Sequence, residues 1–214
     1  MRIVGIADTH GAERQIVVPA GDILVVAGDF CTYGKLEEVA IFNTWLGTLP
    51  HKHKVVVAGN HDLIAQNNYL EMARLFTNAR YLDEEPAIIA GIKFYGCPWT
   101  PEFNDWAFGY PHNSHKADVI WRHVPDDTQV LITHGPPAGT ALGKLPDHYS
   151  RSGEDCGCAV LRNRILELPK LVVNFCGHIH EGYGIEKLGQ VTCMNVTVLD
   201  GQYQVAHPGT VFEL

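Results

Sequence analysis

No stretch of the chain approaches the roughly 20 consecutive apolar residues that a membrane-crossing helix needs, so the sequence offers no bilayer span. Basic residues are scarce. Sixteen Lys and Arg stand against 24 Asp and Glu, a formal charge of −8, which argues against long nucleic acid as the main partner because that binding draws on clustered cations. A CxxC pair is missing too: Cys31, Cys97, Cys156, Cys158, Cys176 and Cys193 are scattered, with Cys156-Gly157-Cys158 read as a loop. This excludes a closed thiolate zinc site of the usual spacing and favours reduced thiols in a chain large enough to be held by its core. Met1-Arg2-Ile3-Val4 enters a strand at once, without the basic and apolar regions of a secretory leader, so a cytoplasmic protein is expected. Low-complexity tracts and charge blocks are also lacking, and the 214 residues are expected to form a single domain, 1–214.

What is present is one device used five times. A short apolar run ends in residues able to ligate a metal: RIVGIA leads to Asp8-Thr9-His10, DILVVA to Gly28-Asp29, KVVVA to Gly59-Asn60-His61-Asp62, QVLIT to His134, and LVVNFC to Gly177-His178-Ile179-His180. Runs of four to six Val, Ile, Leu and Ala bounded by Gly and polar residues read as buried strands. Open α/β sheets bind ligands in the crevice at the carboxyl ends of their strands, so the five polar clusters should meet in one place.

The donors in those clusters are the carboxylates of Asp8 and Asp29, the imidazoles of His10, His134, His178 and His180, and the amide oxygen of Asn60. Mixed oxygen and nitrogen ligation suits Mn²⁺, Fe²⁺, Zn²⁺, Co²⁺ or Ni²⁺, with Mn²⁺ the first choice. Seven donors are too many for one ion. They suffice for two if one carboxylate bridges, and a pair of ions about 3.5–4 Å apart is the clamp used in hydrolysing phosphate esters.

Between the clusters the pattern predicts a helix over 35–49, stopped by Pro50, a strand over 54–58, a helix over 64–76, and a hairpin of 87–89 with 92–95 about Ala90-Gly91. The stretch 96–127 is rich in Pro and aromatics and reads as a long ordered loop with a short helix near 115–123. A strand over 129–133, a loop over 136–153, a helix over 158–168, a strand over 171–176, a hairpin of 183–188 with 190–195 and a last strand near 209–212 complete the order. The aromatic loop, 99–110, is read as packing on itself more than as a stacking platform. His51 and His53 fall at the opposite end of the sheet from the site and read as exposed turn residues. His112, His115, His123, His148 and His207 stay unassigned, although His112 and His148 sit in loops that could reach a substrate.

The ordered set DxH, GD, GNHD, H and GHxH, spanning Asp8 to His180, resembles the signature of the calcineurin-like metallophosphoesterase superfamily. Pro98-Trp99-Thr100-Pro101, Thr133-His134-Gly135-Pro136-Pro137 and the GHIHEGYG segment narrow the likeness to small metallophosphoesterase-domain proteins related to class III cyclic-nucleotide phosphodiesterases. The resemblance implies a four-layer α/β/β/α sandwich with two central mixed sheets. It also implies that Asp8, His10 and His180 hold one divalent ion, that Asn60, His134 and His178 hold the other, and that Asp29 bridges them. His61 would act beside the scissile phosphate as general acid or charge stabiliser, with Asp62 orienting it. Some vertebrate members of that group carry glycine for the first histidine of GHxH; this chain keeps His178.

These implications amount to an enzyme that hydrolyses small phosphodiesters such as cyclic nucleotides by attack of metal-bound hydroxide. Gly28-Asp29-Phe30-Cys31-Thr32-Tyr33-Gly34 lacks the acidic and arginine residues of the GDxVDRG motif of protein Ser/Thr phosphatases, which disfavours phosphoproteins. Phosphomonoesters and nucleotide anhydrides are the alternative substrates. A protein-binding module on the same fold is the alternative of another class, since fold alone does not fix function.

Overall fold

The computed structural model describes residues 1–112, 114–146 and 153–214. Its elements run β1 (Arg2–Ile6), β2 (Ile23–Ala27), α1 (Leu36–Thr48), β3 (His53–Val57), α2 (Leu63–Asn67), α3 (Tyr69–Leu75), β4 (Arg80–Tyr81), β5 (Glu85–Ile89) and β6 (Ile92–Cys97). They continue through β7 (Thr100–Pro101), β8 (Gly109–Tyr110), α4 (His115–Arg122), β9 (Val130–Thr133), α5 (Ala159–Glu167), β10 (Val173–Cys176), β11 (Gly184–Leu188), β12 (Val191–Asn195) and β13 (Thr210–Glu213).

Two large sheets result, in strand orders β13-β1-β2-β3-β4 and β11-β12-β10-β9-β6-β5. Within the first, β1 to β4 are parallel and β13 lies antiparallel on β1. Within the second, β6, β9, β10 and β12 are parallel, and β5 and β11 are antiparallel edges. Alternation along each strand sorts its side chains between two layers. Ile3, Ile23, Val25, Val55 and Val57 face Phe94, Val130, Ile132, Val173 and Phe175 in a core between the sheets. Val4, Ile6, Leu24, Val26 and Val56 point the other way, onto Val39, Phe42 and Leu46 of α1 and Met72 of α3. Tyr95, Leu131 and Cys193 pack against Ala117, Ile120 and Trp121 of α4 and Leu161 and Ile165 of α5. The expected four layers are therefore present, with both sheets mixed, as the period of two in a strand requires when both faces are covered.

The two sheets join at one end. An isolated parallel bridge links Ala7, just past β1, to Thr197, just past β12, with Ala7 N donating to Val196 O at 2.9 Å and Val198 N to Ala7 O at 3.0 Å. All five ligand-bearing strands finish at this end.

Three expectations need correction. The helix over 64–76 is two helices, because Asn68 leaves helical geometry (φ −146°, ψ 58°) between α2 and α3, as an amide side chain able to compete for local backbone bonds allows. His51 is buried: the segment entering β2 covers it, and its Nε2 meets the Pro19 carbonyl at 3.0 Å. His53 is half-buried at the start of β3. Part of the aromatic loop also pairs into the small β7–β8 ribbon, from Thr100↔Gly109 to Pro101↔Tyr110.

Candidate metal centre and active site

Each polar cluster leaves its strand through a sharp reversal. Asp8, His10, Asp29 and His178 all have positive φ, at 56°, 41°, 54° and 69°, a conformation non-glycine residues seldom adopt and one that costs strain. Four of the seven expected ligands share it, which turns their side chains out of the strand direction and into a common space. Close approach does the rest. A Cβ added to Gly59 would strike the Asp29 carboxylate, and one added to Gly177 would strike that of Asp8, so backbone fits where a side chain would evict a donor.

All seven expected ligands come together. Asp8, His10 and His180 place ligand atoms within 4.8 Å of one another, and so do Asp8, Asp29 and His134, and His10, Asp29 and His61. Asn60 Oδ1 lies 2.8 Å from His134 Nε2 and 2.9 Å from His178 Nδ1. Asp29 stands in the middle, its Oδ2 at 3.6 Å from His10 Nε2 and 3.3 Å from His134 Nε2. Each group draws on both sheets: Asp8 and His10 follow β1 and His180 follows β10, while Asn60 follows β3, His134 follows β9 and His178 follows β10.

Backbone carbonyls aim the rings. Because a carbonyl only accepts, His134 Nδ1–H donates to Ala27 O at 3.0 Å, His180 Nδ1–H to Asp200 O at 3.1 Å and His61 Nδ1–H to Thr32 O at 3.0 Å, leaving Nε2 of each ring directed at the site. The carboxylates are held as well: Asp8 accepts from His178 N at 3.1 Å and Asp29 Oδ1 from His61 N at 2.8 Å.

The electrostatics are those of a place built for cations. Burial would raise the Asp29 carboxyl, but the His134 imidazolium beside it holds it well below the usual carboxylate range. Burial would likewise lower His134, yet the Asp29 charge raises it to about 9. Burial, aided by the charge of His134, takes His178 down to about 3, and burial also lowers His10 against the pull of Asp29 and Asp8. Both ring nitrogens of His10 are buried without a hydrogen-bond partner. A buried imidazole in that state costs free energy unless something accepts its lone pair, and a divalent ion among carboxylates and imidazoles fits.

The two expected catalytic residues separate. His61 lies at the site, its ring 4.5 Å from that of His10, edge to face. Asp62 does not orient it. Its carboxylate is fully buried and accepts from the backbone amides of Asp29 (2.9 Å), Gly59 (2.8 Å) and Cys31 (2.8 Å), tying the loop after β2 to the loop after β3. Burial and the nearby Asp29 charge push its carboxyl up, to about 8. The ring of His61 is held instead by Thr32 and by Trp106, stacked on it at 4.0 Å and 21°. Thr32 is itself fixed: its amide donates to Glu38 Oε1 at 2.9 Å and its hydroxyl to His10 O at 2.8 Å. The Trp106 loop is anchored by Ala107 N to Asn60 O (3.1 Å) and Phe108 N to Gln66 Oε1 (2.7 Å).

A cavity of about 340 Å³ opens beside these ligands, from His178 and His180 outward between Phe103, Leu145, Ile179 and Tyr203. Glu102, Glu154 and Glu181 also line it, with His112 at its edge. Among the described residues that line it there is no Lys or Arg. His148 lies outside the described residues. His115 and His123 are exposed on and after α4, and His207 stacks on Tyr183 at 3.7 Å.

Thr32, Trp106 and Tyr203 went unseen in the sequence. The aromatic loop was visible but not which ring would reach the site: Trp99, Phe108 and Tyr110 pack into the interior, Phe103 is exposed, and Trp106 is half-buried against His61. The Asp200-Gly201 pair was the available signal for a turn returning to the site.

The geometry agrees with sequence likeness. A family model described as calcineurin-like phosphoesterase matches residues 1–182. Metallophosphoesterase domain-containing protein 1 of Homo sapiens is 36% identical over 236 aligned residues, which cover 100% of this chain and 71% of that protein. The UPF0046 protein C25E10.12 of Caenorhabditis elegans is 33% identical, over 100% of this chain and 81% of its own length. Among solved structures, TT1561 of Thermus thermophilus shares the fold with a TM-score of 0.63 at 15% identity, over 91% of this chain and 88% of that one.

Proposed function

The chain belongs to the calcineurin-like phosphoesterase family and is a metal-dependent phosphoester hydrolase, and on that premise we propose that it is a phosphodiesterase of small substrates. Asp8, His10 and His180 would hold one divalent ion and Asn60, His134 and His178 a second, with Asp29 between the two groups and Mn²⁺ the first choice for this mixed donor set. When bound, such ions supply positive charge to the phosphoryl oxygens and ease the ionisation of water.

The observation that carries the diester reading is the cavity. It begins at His178 and His180, has room for a second ester group, and is lined by Phe103, Leu145, Ile179 and Tyr203 together with Glu102, Glu154 and Glu181, without a lysine or arginine among its described lining residues. A monoester dianion gains little there beyond the metal ligands, whereas a diester monoanion places one ester group against those walls and carries less charge to compensate. Cyclic nucleotides are the first natural class to test, by the likeness of the flanking motifs.

His61 is the residue for proton management. With Nδ1–H committed to Thr32 O, its Nε2 is the atom that delivers a proton to the leaving oxygen or stabilises charge building there. Trp106 and Thr32 keep that ring in place, and Asp62 holds together the two loops that carry Asp29 and His61. The cytoplasmic setting belongs to the same proposal and rests on the buried thiols of Cys31, Cys97, Cys158, Cys176 and Cys193.

The test is turnover after reconstitution with Mn²⁺, comparing bis-p-nitrophenyl phosphate with p-nitrophenyl phosphate. The expected result is preference for the diester, abolished in Asp29→Ala. Preference for the monoester overturns the phosphodiesterase reading, and silence on both, with ions bound in the expected stoichiometry, turns it toward a binding module.

A further inference from the structure

Tyr203 lies beyond the segment that the family model matches, yet it stands over the site. Three features set it apart. Its backbone is in the left-handed region at φ 58°, a strained state for a bulky side chain. The residue is 55% exposed, a large aromatic side chain left open to solvent. And that ring sits edge-on to two candidate ligands, 5.1 Å from His10 and 4.9 Å from His180.

The turn that imposes this posture is tightly made. Asp200 Oδ1 accepts from Gln202 N and Gln204 N, both at 2.9 Å, Tyr203 N donates to Asp200 O at 2.9 Å, and Asp200 N to Gln204 O at 2.9 Å. The Asp200 carbonyl also fixes His180, so one short turn sets both a candidate ligand and the aromatic ring above it. Phe103 also lines the same cavity, 53% exposed, with its ring edge-on to His178 at 6.4 Å. One ring therefore flanks the ligands of each group, and the cavity opens between these two rings, with Glu102, Glu154 and Glu181 also on its lining.

Resting on the phosphoesterase reading above, we propose that Tyr203, with Phe103, is a specificity-determining residue that selects phosphoesters bearing a flat aromatic or heteroaromatic ring on the ester group. A planar ring entering the cavity meets aromatic faces while its phosphate reaches the ion ligands. A fully aliphatic ester leaves those faces wet and gains less.

The experiment uses the Mn²⁺-reconstituted chain and two inert ligands, phenylphosphonate and methylphosphonate, whose C–P bonds are not hydrolysed. Wild type is expected to bind the phenyl compound about tenfold more tightly than the methyl one, the size of one good aromatic contact. Tyr203→Ala brings that ratio toward one, and Tyr203→Phe restores it. Adenosine 5′-monophosphate against ribose 5-phosphate, each competing with phenylphosphonate, separates a nucleobase from a simple aryl group as the ring preferred. Tyr203→Gly supplies a reading independent of ligands and ions: by relieving the left-handed residue it should raise Tm by about 2 °C while losing the discrimination.

Equal binding of the two phosphonates by wild type, binding of neither, discrimination untouched by Tyr203→Ala, or a lower Tm in Tyr203→Gly each overturns the inference. Turnover of bis-p-nitrophenyl phosphate without phosphonate discrimination sinks this inference and leaves the phosphodiesterase standing. Discrimination without turnover does the reverse.

Discussion

The floor of the site and its walls are built by opposite rules. The floor consists of Asp8, Asp29, Asn60, His134 and their neighbours, almost all buried, each leaving a strand end and each fixed by backbone hydrogen bonds. The walls are Phe103, His112 and Tyr203, exposed side chains on loops outside the sheets. A floor so constrained can change little without losing its geometry. Walls of this kind can change ring by ring, so on the proposed reading reaction type resides in the floor and substrate choice in the walls.

Breaking the floor should have the largest effects. Asp29→Ala removes the carboxylate that lies within 3.6 Å of a candidate ligand of each group, His10 and His134, and is expected to cut turnover at least about a thousandfold and to lower bound metal from two equivalents, as elemental analysis of the purified variant would show. Retention of both activity and two ions would remove the bridging role. His61→Ala keeps the ligand set and should bind metal normally while losing about a hundredfold in kcat, the usual scale of general acid–base catalysis. If kcat is kept and only KM rises, His61 binds substrate and does not manage a proton.

The boundary between floor and wall is Trp106, and a double-mutant cycle sharpens it. Trp106→Leu is expected to lower kcat about tenfold through a loosened His61 ring, and to do nothing further in the His61→Ala background. Additive losses would place Trp106 in the wall, touching substrate directly.

A smaller effect concerns protons. His134 is held near 9 by Asp29, so below that pH it carries a proton that an ion must displace. Apparent metal affinity should therefore weaken by about tenfold per unit as pH falls from 9 toward 7, measured by titration in non-coordinating buffer. The sign in the ion-free chain is opposite. A histidine whose folded pKa is raised stabilises the fold below its unfolded value and loses that contribution as pH climbs through about 9, so the ion-free Tm should decline across that range. A metal affinity independent of pH would mean that the ion displaces no proton from His134.

The floor was legible in the sequence because strand periodicity and the glycines beside each donor are local signals. Five apolar runs announced five strand ends, and their convergence followed from the way parallel sheets bind ligands. What could not be read depends on contacts between distant segments. Asp62 follows His61 directly, and nothing local says that its carboxylate turns away to the Gly59 amide and to two amides of the loop after β2. His51 looked like a turn residue because the Pro19 carbonyl that covers it arrives from 32 positions earlier. Tyr203 and Trp106 needed the whole topology, since only the fold decides which of several aromatic rings faces outward.

The join between Ala7 and Thr197, seen with the way each ligand group spans both sheets, makes the candidate metal centre also a seam. On the proposed assignment each ion would staple one half of the sandwich to the other, so ion concentration enters the folding equilibrium itself, raising stability with the logarithm of ion concentration once it exceeds the dissociation constant. Starved of metal, such a chain would surrender activity and cohesion together, and whatever inspects loosened proteins would find the idle copies first.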